Sequence, residues 1–227
     1  MIPSYATLSA VVMLTLSGCS GQRPEAAGRP DTATVTAAPA RSARPRIVIL
    51  GTSLTAGYGL PDPALAYPAL LQRRIDAAGL KYEVVNRGVS GETSAGARAR
   101  VDWVLREPAA IVVLETGAND GLRGLEVGSL RANVQAILDR AKRLNPPPKL
   151  VLIGMEAPPN YGLDYTRQFR AVYSELARAN NAALVPFLLQ GVAGIARLNQ
   201  ADGVHPTAEG QRIAAENVWR VLEPLLR

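Results

Sequence analysis

The chain contains a single histidine, His205, in the segment DGVHPTAEG (202–210), three residues after Asp202. A lone imidazole is most often a surface or core residue without chemistry. The nearby acid changes that reading, because one turn of chain can bring carboxylate and imidazole together. A carboxylate on one ring nitrogen fixes the tautomer and leaves the other nitrogen to accept a serine proton. Ser53 has the right setting for such a serine, directly after the apolar run RIVIL, in Gly51-Thr52-Ser53-Leu54. The glycine permits a tight turn and close approach of a ligand to the backbone. The segment is not a G-x-S-x-G elbow, since Thr55 stands in the last glycine's place. Ser53 could equally be only a helix N-cap. The two roles are compatible, because a helix N-terminus also offers N–H groups to developing negative charge.

Two further residues fit a site for a tetrahedral oxyanion. Asn119 follows Gly117 and Ala118 in TGANDGLRG, where its side-chain amide could donate to an oxyanion or simply serve a turn. Gly91, in RGVSGETSAG, could offer its backbone N–H or likewise only turn the chain.

Composition removes several other chemistries. One cysteine allows no internal disulfide and no cysteine metal cluster, and one histidine makes a His-rich zinc site a poor expectation. No metal and no cofactor are expected. The formal charge of +6 comes mainly from arginine, since the lysines are only Lys81, Lys142 and Lys149. The arginines are scattered, aromatic residues are sparse and no binding motif is visible, so nucleic acid is not an expected partner.

Positioning these groups requires a scaffold. Five short runs, RIVIL, YEVVN, AIVVLE, KLVLIG and ALVPF, are rich in β-branched residues without polar alternation, as in strands buried on both faces. Helical patterns lie between them. Tyr67, Leu70, Leu71, Ile75 and Ala78 share a face, as do Leu130, Val134, Ile137, Leu138 and Ala141, and then Phe169, Val172, Tyr173 and Leu176. After Pro206 a last helix presents Ile213, Val218, Val221, Leu222 and Leu225. The alternation predicts an α/β fold, a five-stranded parallel sheet with helices on both faces. Such sheets carry their sites beyond the carboxyl ends of the strands, and the glycine-rich segments with the candidate residues follow strands there.

The N-terminus differs in character. Ala6 to Leu16 is uncharged and largely apolar but too short to span a bilayer, and Leu16-Ser17-Gly18-Cys19 looks like a bacterial lipobox. Residues 1–18 are therefore expected to be a lipoprotein signal peptide, with Cys19 lipidated. Met1 to Tyr5 holds no Lys or Arg, so the positive end of that signal rests on the α-amino group. Residues 19–45, dominated by Pro, Ala, Gly, Thr and Arg, read as a disordered tether, and 46–227 as the folded domain.

Together GTSLTAGYGL, SGETS, GANDGLRG and DGVHP resemble, in order and spacing, the four sequence blocks of the SGNH, or GDSL-type, hydrolases. The resemblance spans residues 46–227 and is closest to the bacterial envelope branch with arylesterase, thioesterase and lysophospholipase activity. It implies a flavodoxin-like three-layer α/β/α sandwich. It makes Ser53 the nucleophile, His205 the general base and Asp202 the residue orienting it, with Ser53 N–H, Gly91 N–H and the Asn119 amide as oxyanion hole. Asn160, Tyr161 and Gly162 match an NYG loop of that branch and are expected to bind substrate. Thr52 stands where the family name has Asp, which leaves the triad intact and opens the question of what braces the loop. The implied activity is a serine ester hydrolase, a monomer acting on a small acyl ester or thioester and held at the bacterial envelope through Cys19. Rival readings are a carbohydrate O-deacetylase of the same fold, disfavoured by the few aromatics available to stack sugars, and a non-catalytic ligand-binding lipoprotein.

Overall fold

The computed structural model describes residues 44–227. The expected signal peptide, Cys19 and the expected tether as far as residue 43 lie outside the described residues. Arg44 and Pro45, assigned to the tether by composition, join the folded unit. Arg44 pairs with Asp76 at 2.8 Å, and the Pro45 carbonyl accepts from Glu83 N at 3.0 Å.

Five parallel strands form one sheet in the order β2-β1-β3-β4-β5: β1 Arg46–Gly51, β2 Glu83–Gly88, β3 Ile111–Glu115, β4 Lys149–Ile153 and β5 Ala183–Val185. This is the flavodoxin-like order. The chain steps outward from β1 to β2 and then back across β1 to β3. With right-handed crossovers, that reversal sends later helices to the opposite face. Helix α2 (Tyr67–Ala77) accordingly packs with α7 (Ala208–Leu222), while α3 (Ser94–Val104), α5 (Val127–Lys142) and α6 (Leu163–Ala179) pack side by side. Two single-turn helices, α1 (Ser53–Ala56) and α4 (Ala118–Leu122), follow β1 and β3 directly.

Only the central strands are sealed on both faces. Ile47 to Leu50, Ile111 to Leu114 and Leu150 to Ile153 are buried, whereas the edge strand β2 is half-buried along most of its length. The expectation of two-faced burial for YEVVN therefore yields to its edge position. Strand β5 stops at Val185, since Pro186 has no N–H to continue the ladder.

The face of α7 also differs from its apolar pattern. Val218 and Leu222 are buried as expected, but Gln211, Ala214 and Ala215 complete the inward face, with Ile213 and Val221 half-buried and Leu225 in a terminal 3₁₀ turn. Gln211 is inside because both ends of its amide are used. It accepts from Tyr67 N at 2.9 Å and donates to the Leu54 carbonyl at 3.3 Å. Helix α3 has no strong apolar stripe; Ala97, Val101 and Val104, with Ser94 at its start, give it a buried side among arginines and small residues.

Candidate active site

The loops beyond the carboxyl ends of the strands enclose a cavity of about 760 Å³, lined by Ser53, Gly91, Asn119, Asp202 and His205 among others. At its floor, Ser53 is the first residue of α1 and Thr52 is the N-cap, so the capping position falls one residue earlier than Ser53. The Thr52 side chain makes no cap bond and turns instead toward the sheet.

His205 bridges two partners. Its Nε2 lies 2.9 Å from Ser53 Oγ, and its Nδ1 lies 2.6 Å from Asp202 Oδ2. The other carboxylate oxygen, Asp202 Oδ1, accepts from Val204 N at 2.9 Å and His205 N at 3.0 Å. These bonds, from the His205 backbone first and its ring second, lower the Asp202 carboxyl to a pKa of about 2. Asp202 is thus ionised at neutral pH, which favours the tautomer with the ring proton on Nδ1 and turns the unprotonated Nε2 toward Ser53 Oγ.

Two residues that the motifs left unassigned hold this arrangement. The Tyr58 ring packs against the His205 ring with centroids 4.6 Å apart. The Gln200 amide donates to the Tyr58 carbonyl at 2.8 Å and to the Pro206 carbonyl at 3.0 Å, stapling the serine loop to the histidine loop. Tyr58 was visible inside the GTSLTAGYGL block; Gln200 lies in no block and carried no sequence signal.

The opposite wall is fixed by the segment before α3. Gly91 takes φ +77°, a conformation open to glycine, and its carbonyl accepts from Arg123 at 3.0 Å. Asn119 sits within α4 rather than in an open turn, and its Nδ2 donates to the Glu92 carbonyl at 3.0 Å. One amide hydrogen is engaged there, and an Asn amide has a second. Neighbouring Asp120 is buried and accepts from Ser94 N at 2.8 Å and Ser94 Oγ at 2.5 Å. Glu92 is clamped by Arg100, with Nε and a terminal nitrogen each 2.6 Å from a carboxylate oxygen.

The brace of the serine loop is Glu115, the last residue of β3. It is fully buried and accepts from Thr52 N at 2.7 Å, Thr52 Oγ1 at 2.9 Å and Thr55 Oγ1 at 2.8 Å. Thr55 Oγ1 in turn lies 2.7 Å from Tyr67 Oη. Glu115 therefore grips the turn on both sides of Ser53. Burial pushes its carboxyl above the ordinary glutamate value, and these hydrogen bonds offset that only in part. Gly51 makes the grip possible, because a Cβ there would lie 1.9 Å from Thr55 Oγ1 and 2.8 Å from Glu115 Oε2. Thr52, in the place of the family Asp, spends its hydroxyl on this carboxylate.

Asn160, Tyr161 and Gly162 do not line the cavity; Met155 to Pro159, just before them, do. The loop is anchored to Leu122, itself a cavity-lining residue. Tyr161 Oη donates to the Leu122 carbonyl at 3.0 Å, and its ring lies 5.3 Å from that of Tyr165. Among the described residues no three His, Cys, Asp or Glu side chains cluster as a metal site would require.

Comparison with known proteins agrees with this geometry. The model of the GDSL-like Lipase/Acylhydrolase family matches residues 49–213. Esterase TesA of Pseudomonas aeruginosa is 42% identical over 187 residues, 82% of this chain and 92% of the relative. Thioesterase 1/protease 1/lysophospholipase L1 of Escherichia coli K12 is 36% identical over 181 residues, 79% of this chain and 84% of the relative. The crystal structure of the psychrotrophic esterase EstA from Pseudoalteromonas, inhibited by monoethylphosphonate, superposes with a TM-score of 0.74 at 32% identity, covering 80% of this chain and 98% of that one. With the family model matched over most of the folded unit and relatives of this identity along it, the chain belongs to the GDSL-like lipase/acylhydrolases and is an ester hydrolase.

Proposed function

We propose that Ser53 is the nucleophile of an acyl-enzyme cycle, with His205 as general base and acid and Asp202 as its orienting carboxylate. The observation that carries this reading is the continuous contact from Asp202 Oδ2 through the imidazole to Ser53 Oγ, at 2.6 Å and 2.9 Å. Nε2 takes the proton as Oγ attacks the acyl carbonyl, and then returns it to the leaving alcohol or thiol. Water, activated by the same nitrogen, releases the acid from Ser53.

The negative charge of the tetrahedral intermediate needs donors waiting for it. Ser53 N–H stands in the first turn of a helix and has no intrahelical acceptor. Gly91 and Asn119 line the same cavity, and we assign the Gly91 N–H and the second amide hydrogen of Asn119 with it to the oxyanion hole. The apolar wall from Met155 and Ala157 to Phe187 and Leu189 suits an acyl chain. The substrates are small acyl esters or thioesters. Ser53→Ala should abolish hydrolysis of 4-nitrophenyl acetate; equal turnover by the folded variant would reject the assignment.

We also infer that Cys19 is lipidated and holds the enzyme at the bacterial envelope. No helix among the described residues is long and apolar enough to cross a membrane. Full-length protein should partition with membranes and Cys19→Ala should not; soluble wild type would end this reading while leaving the hydrolase intact.

A further inference from the structure

The whole chain carries a formal charge of +6, but its catalytic cavity does not share that sign. Among the described residues no Lys or Arg lines the cavity, whereas two carboxylates do, Asp202 and Glu156. Asp202 is committed to His205 and holds its charge there. Glu156 has no such duty. It follows β4 by three positions, after Gly154 and Met155, its side chain is 39% exposed, and among the described residues it pairs with Arg170 on α6 at 3.0 Å. Arg170 stands outside the cavity, so its charge offsets that of Glu156 from behind. Arg123, on the other side, is turned to the Gly91 carbonyl and does not line the cavity either.

We propose that Glu156 sets a charge preference in this esterase, favouring neutral or cationic acyl esters and thioesters over those bearing carboxylate or phosphate. The inference rests on the cavity being the site of ester hydrolysis and adds the class of substrate it takes. A carboxylate on the wall of a partly desolvated cleft acts through less screening than one on open surface, so a charged substrate entering beside it feels its sign. A negatively charged substrate meets Glu156 and Asp202 together with no lining cation to receive it. A positive one meets a complementary wall.

The opposing positions of Glu156 and Arg170 give the proposal a signed test. Three butyryl thioesters share the acyl chain and scissile bond and differ in the leaving thiol: thiocholine is cationic, 3-mercaptopropionate anionic and 2-mercaptoethanol neutral. The readout is the ratio of kcat/KM for the cationic to the anionic ester within each protein, so a general loss of rate cancels. Wild type should favour the cationic ester. Glu156→Gln should lower the ratio by about three- to tenfold at low salt, and Arg170→Ala should raise it. Added salt should compress the difference between the proteins, because screening acts on the charge alone.

Damage to the ion pair as a structural element would move both variants the same way, and that result would overturn the proposal. So would an unchanged ratio in Glu156→Gln. Hydrolysis of the neutral ester by wild type reports the esterase site separately. Its absence would count against that site, whereas a failure of the ratio test with the neutral ester turning over would count against Glu156 alone.

Discussion

Replacing Glu115 tests how the serine loop is held. Glu115→Ala removes the acceptor of three buried donors, Thr52 N, Thr52 Oγ1 and Thr55 Oγ1. The hydroxyls can rotate, and Thr55 keeps Tyr67 Oη as a partner, but the Thr52 N–H is fixed and stranded. One stranded buried N–H costs about 1–3 kcal/mol, and each lost hydroxyl bond about 1 more. The expected destabilisation is therefore about 3–5 kcal/mol, read as a shifted urea midpoint. The loop carries Ser53, and a displacement of about 1 Å at a reacting group can cost about 10²-fold. We expect kcat on 4-nitrophenyl acetate to fall about ten- to a hundredfold with KM nearly unchanged.

Glu115→Gln separates charge from shape. Because the folded carboxyl is raised, the native protein holds this proton more tightly than the unfolded chain does. The contribution to stability is complete below the unfolded value of about 4.3 and is lost as pH rises through the folded value. The wild type should therefore lose stability relative to Glu115→Gln as pH climbs above about 4.3, the difference flattening once Glu115 is ionised. A Glu115→Ala protein with wild-type midpoint and kcat would refute the bracing role.

Two other outcomes follow from the geometry. Asn119→Ala should lower kcat by about 10²–10³-fold with little change in KM, beyond the modest stability lost with the bond to Glu92; normal kcat in the folded variant would remove Asn119 from the oxyanion hole. The acid limb of kcat/KM should rise with unit slope. Asp202 titrates near pH 2, so its contribution is present above the unfolded value of about 3.9 and lost only as pH falls toward 2. Asp202 should thus contribute nothing to the limb, and a second-order limb that disappears in Asp202→Asn would contradict that.

Sequence patterns disclosed the architecture and the reacting side chains because both leave local signatures. The apolar runs located all five strands, and the four blocks singled out Ser53, Gly91, Asn119, Asp202 and His205, all of which line one cavity. What sequence did not disclose depends on contacts far apart in the chain. Glu115 looked like the polar end of a strand, yet its partners lie 60 to 63 residues away. Gln200 joins segments separated by 142 residues. Gln211 shares a helix face with Val218 and Leu222, but its polar side chain gives no local sign of burial, which depends on two bonds to other elements. Helix α3 was hidden by small residues and arginines. The NYG segment has a motif signature, but the bond from its tyrosine to the Leu122 carbonyl at the end of α4 has none.

The measurement that bears most directly on the account is identification of the residue that becomes covalently modified. Wild-type enzyme treated with a 4-nitrophenyl alkylphosphonate should release one nitrophenolate per molecule, gain the mass of one phosphonyl group, and carry it on the peptide containing Ser53. Ser53→Ala should gain no mass, and His205→Ala should be modified far more slowly. Modification of wild type at any other residue, or stoichiometric labelling of Ser53→Ala, would contradict Ser53 as the nucleophile.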